Sequence, residues 1–512
     1  MSFRRLSKFL FGDRRSDEAT SVNDLQALTE LANQGDASAQ HSLGVHHYSQ
    51  GEIPEAAKWF QKSAEQGDPS AQFDLGYLYE KGEGVSANDS EAVKLYHQAA
   101  DQGEPRAQFK LGSKYLRDGD DPAGDKEWIK LIRQAAGQGL AEAQFNLGTM
   151  YAHGDGVATD ETKAISWYRK SAEQGYDQAQ FNLGKMYADG RGVAQDMGKA
   201  LEWIKKAAEQ DDALAQFTLG CMYKNGEGVA KSDEEALKWC RMAAHRNHPN
   251  AQYILGYALM SGDCVPKDLV EGKKWIRKAA EQGDVRAQFM LSGEYSHDGA
   301  DTPENREAID WLMKCAEQGY APAQSNLGYM YFAGLGVEKD LANAAMWYKR
   351  AANQGIAASQ INLGKMYENG EGVEKDCTET FNWFRMAADQ NEPYAQYKVG
   401  NMYSKGEGVD QDHTEAIKWL FEAAKHGNVD ALGQLSLKAA KGEGVEVNNV
   451  MAYMWLTLAE DLSPPSQLTE EWLAYRAMLT EVMTDEQMQE GRKVAKEFAE
   501  SHRLIDLGKP AH

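Results

Sequence analysis

Long apolar runs and paired cysteines are both missing from this chain of 512 residues. No stretch of about 18 consecutive apolar residues occurs, so no transmembrane helix is expected. The first residues are basic, but the apolar stretch among them is too short for a signal peptide. Five cysteines, an odd number, indicate reduced thiols rather than a disulfide framework. We therefore expect a cytoplasmic protein.

Basic residues are also fewer than acidic residues. The chain has 55 Lys and Arg residues against 78 Asp and Glu residues, a formal net charge of −23. Such an acidic surface repels phosphate groups, which argues against nucleic-acid binding. Hydrophobic residues make up 42% and charged residues 26% of the chain, as in folded rather than disordered proteins.

The usual motifs of enzyme chemistry do not occur. No Gly-Lys pair is followed by Ser or Thr, so the phosphate-binding loop of nucleotide-binding proteins is missing. Ser-x-x-Lys, His-Glu-x-x-His and Cys-x-x-Cys are missing as well. His245 and His248 are three residues apart but have no further ligand nearby. We expect no enzymatic activity, no cofactor and no metal.

A repeat of constant length dominates the sequence. The Leu of the phrase AQFNLG and its equivalents recur from Leu75 to Val399 and Leu435, and the 360 residues between Leu75 and Leu435 are ten steps of 36. A further copy at Leu43 makes twelve units. Such regularity indicates a repeat architecture rather than separate domains.

Each unit predicts two helices. In the unit Leu140–Gly175, Ala143, Leu147 and Met150 share one face of a first helix, A. The segment Gly154–Gly156 ends this helix. A second helix, B, starts near Asp160 and ends at Gly175. The nine tryptophans at one constant position of helix B are more typical of a repeat core than of a binding site: Trp59, Trp167, Trp203, Trp239, Trp275, Trp311, Trp347, Trp383 and Trp419.

Glycine and its substitutes mark two structural requirements. The position after helix B is Gly in most units but Asp211, Asn247 or Asn391 in three, and these residue types tolerate the left-handed backbone of a helix C-cap. Gly148 lies inside helix A, where glycine costs about 0.5–1 kcal/mol relative to alanine. Its recurrence predicts a close approach of two helices.

A hairpin of 36 residues cannot bury its apolar face alone, so neighbouring units are expected to stack into an all-α solenoid. The expected organisation is a basic N-terminal arm (1–22), a repeat solenoid (23–460) and C-terminal capping helices (461–512). Within the cap we predict helices over 468–483 and 485–500, with Thr484 and Gln487 forming a capping box.

The phrases AQFNLGTMYAHGDGV, KAISWYRKSAEQG and AQSNLGYMYFAGLGV resemble the Sel-one-like repeats (SLRs), relatives of the tetratricopeptide repeats (TPRs), over roughly residues 24–460. The resemblance implies a right-handed α-superhelix that serves as a non-enzymatic adaptor for protein complexes, often in bacterial signalling or host interaction. One secreted subgroup pairs cysteines eight residues apart and is reported to bind penicillins. No two cysteines here have that spacing, so a β-lactam-binding or hydrolase-like function is the weaker alternative.

In the related repeats, helix A lines the groove, and its polar positions should therefore face a partner. Three kinds of side chain make up the predicted partner-binding set. Tyr257, Met290 and Tyr329 would hold apolar side chains. Lys365, Lys398 and Lys405 would bind carboxylates of an acidic segment. Asn182, Asn326 and Asn362 could hydrogen-bond an extended main chain, or they could simply bond a neighbouring helix.

The N-terminal arm is a separate signal. Residues 1–15 contain five basic residues and one acidic residue, Asp13, which gives a net charge of +4. The basic residues are Arg4, Arg5, Lys8, Arg14 and Arg15. Phe3, Leu6, Phe9 and Leu10 could share one helical face, which would allow weak contact with a membrane surface. A peripheral membrane organiser is therefore a further alternative function. Equally, the arm could be disordered or folded back on the acidic body.

Overall fold

The computed structural model describes residues 22–118, 127–295, 302–463 and 470–504, and in these residues it contains 27 α-helices and no strand. Two compact units divide them, the first ending at Leu269 and the second beginning at Val270. The predicted all-α fold of tandem helical hairpins is confirmed. Residues 1–21, which include nearly all of the predicted basic arm, lie outside the described residues.

The first unit contains fourteen helices: α1 Val22–Asn33, α2 Ala37–Ser49, α3 Ile53–Glu65, α4 Pro69–Lys81, α5 Asp89–Asp101, α6 Pro105–Asp118, α7 Glu127–Gly137, α8 Ala141–His153, α9 Glu161–Glu173, α10 Asp177–Asp189, α11 Met197–Glu209, α12 Ala213–Asn225, α13 Asp233–His245 and α14 Pro249–Ser261. From α2 to α25, even-numbered helices are A helices and odd-numbered helices are B helices.

The second unit contains thirteen helices, the first of which starts at the last residue of the first unit: α15 Leu269–Glu281, α16 Val285–Ser292, α17 Pro303–Glu317, α18 Ala321–Ala333, α19 Leu341–Asn353, α20 Ala357–Asn369, α21 Cys377–Ala388, α22 Pro393–Lys405, α23 His413–Lys425, α24 Val429–Lys441, α25 Asn449–Leu462, α26 Glu470–Val482 and α27 Asp485–Ser501. Within each of the two compact units, each A helix packs on the B helix that directly follows it.

Local chemistry fixes the end of α8 and the start of α9. Helix α8 ends at Gly154, whose φ of 84° is in the left-handed region. Helix α9 begins after Asp160, whose carboxylate accepts a hydrogen bond of 2.9 Å from the backbone N–H of Lys163. The predicted C-cap requirement is confirmed, since Asp211, Asn247 and Asn391 have φ values of 68°, 69° and 64°.

The glycine inside each A helix marks the predicted close approach. A Cβ atom on Gly148 would lie 2.8 Å from Cδ1 of Tyr168 in the following B helix. At Gly184 it would lie 2.6 Å from Cγ1 of Ile204 and 3.1 Å from the carbonyl oxygen of Ala200. Glycine therefore lets the two helices of a hairpin pack closer than any larger residue would.

The tryptophans belong to the core, as the sequence indicates. Six of the nine are buried and three are half-buried. In six repeats the cationic group of a side chain three residues later lies over the ring, at 4.0–4.5 Å from its centroid: Lys62, Lys170, Lys206, Lys278, Lys314 and Arg350. The rings of these six tryptophans are therefore covered by side chains of the same chain.

A chain of glutamines, which we call the glutamine clamp, joins successive helices. In the middle of the first unit, Gln144 of α8 donates to the carbonyl oxygen of Ala136 at the end of α7 (3.2 Å). Gln174, the C-cap of α9, donates to Oε1 of Gln144 (2.8 Å). One buried amide therefore connects the ends of two B helices through the A helix between them.

The same arrangement recurs along the chain. Eleven A-helix glutamines donate to the alanine carbonyl eight residues earlier, at 3.0–3.5 Å: Gln40, Gln72, Gln108, Gln144, Gln180, Gln216, Gln252, Gln288, Gln324, Gln360 and Gln396. The sequence analysis missed this role, although the spacing from Gln144 to Gln174 repeats along the chain.

The C-terminal helices cover the last repeat. The helices predicted over 468–483 and 485–500 are observed as α26 and α27, and the predicted capping box at Thr484 and Gln487 is confirmed. In α24 the clamp glutamine is replaced by the buried Leu432. The indole of Trp472 lies directly on the neighbouring Gly433, where a Cβ atom would have no room. An apolar contact therefore replaces the clamp at this end.

Buried charges connect the first A helices. Asp74 of α4 is 3% exposed and bonds both His41 of α2 (2.7 Å) and Arg106 of α6 (3.0 Å). Glu104 also accepts from Arg106, at 2.7 Å. In α8, burial raises the pKa of Glu142 to about 7 against the opposing charge of Lys110.

None of the described helices is both long and apolar enough to cross a membrane.

Replacing Gly184 by alanine tests the close approach. The added methyl group meets Ile204 and the Ala200 carbonyl, so we expect a loss of stability of about 1–3 kcal/mol in urea unfolding. Gly137 is the matched control, because a Cβ atom there meets nothing within 4 Å. Gly137→Ala should leave stability unchanged or raise it by up to about 1 kcal/mol. Equal effects of the two substitutions would contradict this packing.

Glu142→Gln tests the buried carboxyl. The folded-state pKa of about 7 lies above the ordinary value of 4.5, so the folded chain binds the proton more tightly than the unfolded chain and loses stability as pH rises through this window. At pH 8 the glutamine variant should be more stable than the parent by about 2 kcal/mol, since each pKa unit is worth about 1.4 kcal/mol and partial exposure reduces the effect. At pH 4 the difference should vanish. Urea unfolding at both pH values measures it, and a difference independent of pH would refute the assignment.

Candidate partner-binding face

The predicted aromatic positions differ in how they are covered. Tyr329 of α18 is 52% exposed and Tyr257 of α14 is 49% exposed. The same repeat position in α4 is Tyr77, which is only 5% exposed. Met290 of α16 is half-buried. Tyr257 belongs to the first unit, where its ring lies 6.3 Å from that of Tyr253. Tyr329 is therefore the exposed aromatic anchor of the second unit among the predicted residues.

A difference in helix length accompanies the exposure of Tyr329. Helix α16, the preceding A helix, has eight residues, whereas α18 has thirteen. Ser359 of α20 donates to or accepts from Ser325 of α18 at 2.8 Å, so the following A helix packs against the start of α18. Fewer residues of α16 are therefore available to cover the later turns of α18 within the described part of the chain.

The three predicted asparagines separate into two groups. The amide of Asn182 interacts with the hydroxyl of Tyr168, and the equivalent Asn362 interacts with that of Tyr348, whose pKa burial raises to about 12. A partner could use these two amides only by displacing the tyrosine hydroxyl. Asn326 is exposed, and the residue that would be its hydroxyl partner is Leu312. Its amide remains accessible to a bound chain.

The three predicted lysines also differ. Lys398 donates to both carboxylate oxygens of Glu368 at 2.9 Å, and this pairing raises the pKa of Lys398 although burial opposes it. Lys405 is exposed and lies 3.8 Å from Glu407. Lys365 is half-buried, with Nζ 4.5 Å from the ring centroid of Tyr394. In the described part of the chain, Lys365 makes no ion pair.

These residues lie on three consecutive A helices of the second unit. We call the surface formed by Asn326 and Tyr329 of α18, Lys365 of α20, and Tyr394 and Lys405 of α22 the α18–α22 face. It presents an exposed phenol, an exposed amide, the ammonium group of Lys365 beside the ring of Tyr394, and the exposed ammonium group of Lys405. Such a surface suits a protein segment with an apolar side chain and a carboxylate.

Two residues of this region were not predicted from sequence. Glu368 pairs with Lys398 of the next A helix, and Tyr394 carries Lys365 on its ring. The equivalent pair in the first unit is Glu80 with Lys110, at 3.0 Å and with the same separation in sequence. That recurring spacing is the signal that would have identified the Glu368–Lys398 pair.

Groups for metal or thiol chemistry are not assembled in the described residues. No cluster of three or more His, Cys, Asp or Glu side chains there could hold a metal ion. Burial raises the pKa of Cys240 to about 12 and that of Cys315 to about 11, which keeps both thiols protonated near neutral pH. His248 instead caps α14 by accepting from the backbone N–H of Ala251.

Comparison with known proteins assigns the family. The Sel1 repeat model matches eleven segments: 37–68, 69–104, 141–176, 177–212, 213–248, 249–284, 285–320, 321–356, 357–392, 393–428 and 431–464. The stretch 105–140 is not matched, yet α6 and α7 form a hairpin there like the others. None of the curated proteins compared with the chain matches it.

Two solved structures are similar over most of their length. One is c5321 of uropathogenic Escherichia coli, a protective antigen with an SLR fold, which is 31% identical with a TM-score of 0.68 and covers 89% of this chain and 98% of its own. The other is a Sel1 repeat protein of Oxalobacter formigenes, which is 32% identical with a TM-score of 0.34 and covers 67% of this chain and 90% of its own. The repeat matches and the 31% identity together show that this chain belongs to the Sel1 repeat family, within the TPR-like superfamily.

Proposed function

We propose that the chain is an adaptor that binds a segment of a partner protein on the α18–α22 face. Sel1 repeat proteins are generally protein-interaction scaffolds. The observation that carries the choice of surface is the exposure of Tyr329, because a 52% exposed tyrosine stands where another repeat holds a buried one. Large exposed aromatics in the centre of a surface are typical anchors of protein interfaces.

The partner segment should combine one apolar side chain with one acidic side chain. The apolar side chain covers the ring of Tyr329. The acidic side chain pairs with Lys365, which has no carboxylate of its own in the described residues. Asn326 adds a hydrogen bond to the main chain of the partner. The Glu368–Lys398 pair holds α20 and α22 together beneath the segment and is itself already neutralised.

The cellular role that fits best is an adaptor in bacterial signalling or host interaction. Its support is the similarity to c5321, which is a protective antigen of uropathogenic E. coli. Protective antigens are met by the host, so the likeness favours host interaction between the two roles.

A photo-crosslinking amino acid at position 329 tests the face. In cells that produce the protein, irradiation should yield a discrete crosslinked species of higher mass. The matched control is position 346 on α19, where Met346 is 38% exposed but lies on a B helix. The control position should yield no such species. The same products from both positions, or none from position 329, would contradict the proposal.

Substitutions on the face should weaken that product without unfolding the chain. Tyr329→Ala removes an exposed ring, so its thermal midpoint should stay within about 2 °C of the parent, as for most surface substitutions. With the crosslinker moved to position 333, on the same helix, we expect Tyr329→Ala or Lys365→Glu to reduce the crosslinked species at least about fivefold. Unchanged crosslinking in both variants would remove these residues from the binding surface.

A further inference from the structure

Two glutamine clamps are incomplete. In eight described repeats, the Oε1 atom of the A-helix glutamine accepts a hydrogen bond of 2.7–2.9 Å from a glutamine at the end of the next B helix. Among the described residues, the Oε1 atoms of Gln216 and Gln396 have no hydrogen-bond partner, although these side chains are 0% and 2% exposed.

The sequence explains both gaps. The donor of a complete clamp is the glutamine that directly follows the next B helix, as Gln174 follows α9. The equivalent position holds Arg246 in the case of Gln216 and His426 in the case of Gln396. The guanidinium of Arg246 is instead bound to the carboxylate of Asp211, at 2.5 Å on the surface. His426 is exposed and leaves Gln396 unsatisfied.

The neighbouring residues change at the same two turns. The residue before the donor glutamine is acidic in most repeats, as at Glu173 and Glu317, but it is His245 or Lys425 here. Each of these two turns therefore differs from the other repeats at two consecutive positions rather than at one. Both turns keep the left-handed residue that ends the B helix, with a φ of 69° at Asn247 and 74° at Gly427. The backbone path is conserved while the clamp is lost.

A missing donor weakens one particular connection. A buried carbonyl oxygen without a hydrogen bond is unfavourable in the folded state, and the cost disappears when water reaches it. At Gln396 the first half of the clamp persists, since its amide still donates to Ala388 at 3.4 Å. The bond that is lost is the one between α22 and the end of α23. Opening there costs less free energy than at a complete clamp.

We propose that the repeat array contains two built-in opening points, between α12 and α13 in the first unit and between α22 and α23 in the second. At each point the helices separate locally more often than elsewhere in the same unit. The second point borders the helix that carries Tyr394, Lys398 and Lys405. Opening there changes the position of α22 without unfolding the repeats before it.

Hydrogen–deuterium exchange of the full chain, with no partner present, tests the proposal. In the parent protein, peptides from α22 and the end of α23 should exchange about tenfold faster than the equivalent peptides of α18 and α19, where Gln354 completes the clamp on Gln324. His426→Gln supplies the missing donor and should slow exchange at α22 and α23 about tenfold. Arg246→Gln should do the same at α12 and α13.

The converse variant is the matched control. Gln354→His creates an incomplete clamp in a complete repeat and should accelerate exchange at α18 and α19 about tenfold. Far-ultraviolet circular dichroism should be unchanged in all three variants, because each change lies at an exposed helix end. Unchanged exchange at α22 and α23 in His426→Gln would overturn the proposal, as would unchanged exchange at α18 and α19 in Gln354→His.

Discussion

The buried glutamine of the A helices from α2 to α22 makes the interaction on which the register of the repeats depends. Apolar packing alone would let two neighbouring hairpins slide, since alanine, leucine and tyrosine contacts are tolerant of small shifts. The clamp does not tolerate them, because one amide must reach the alanine carbonyl of the preceding B helix and, at complete clamps, the cap glutamine of the next. A side chain that is only 5% exposed, such as Gln180, has no water to replace a lost partner. Hydrogen bonding therefore gives the stack a unique geometry while burial supplies most of its stability.

That fixed geometry also produces the candidate partner-binding face. Because A helices repeat at a constant spacing, side chains of successive repeats meet across neighbouring helices, as Glu368 and Lys398 do. Small sequence changes then decide which positions are used internally and which are free. Asn362 interacts with the hydroxyl of Tyr348, whereas Asn326 is exposed and Leu312 occupies the position of the equivalent tyrosine. A face of varying chemistry thus arises on a nearly constant scaffold.

Sequence reasoning correctly predicted the features that act within one helix or one hairpin. The period of 36 residues, the left-handed caps at Asp211, Asn247 and Asn391, and the close approach at Gly148 all follow from local periodicity and backbone chemistry. It missed the clamp because a glutamine in an apolar helix has no local signature of its acceptor. It could not separate Tyr329 from Tyr77, since their exposures of 52% and 5% depend on helices packed from other parts of the chain. The partner-binding role of the predicted set and the function of residues 1–15 stay predictions.

The most direct test of this account is a double-mutant cycle on one complete clamp. Gln180 and Gln210 lie in the first unit and are joined by a hydrogen bond of 2.8 Å, which makes this clamp complete. Equilibrium urea unfolding of the parent, Gln180→Ala, Gln210→Ala and the double variant gives their coupling free energy. A coupling of about 1 kcal/mol or more is predicted, because the two amides act as one unit. Additive effects of the two substitutions would show that packing alone sets the register of the repeats.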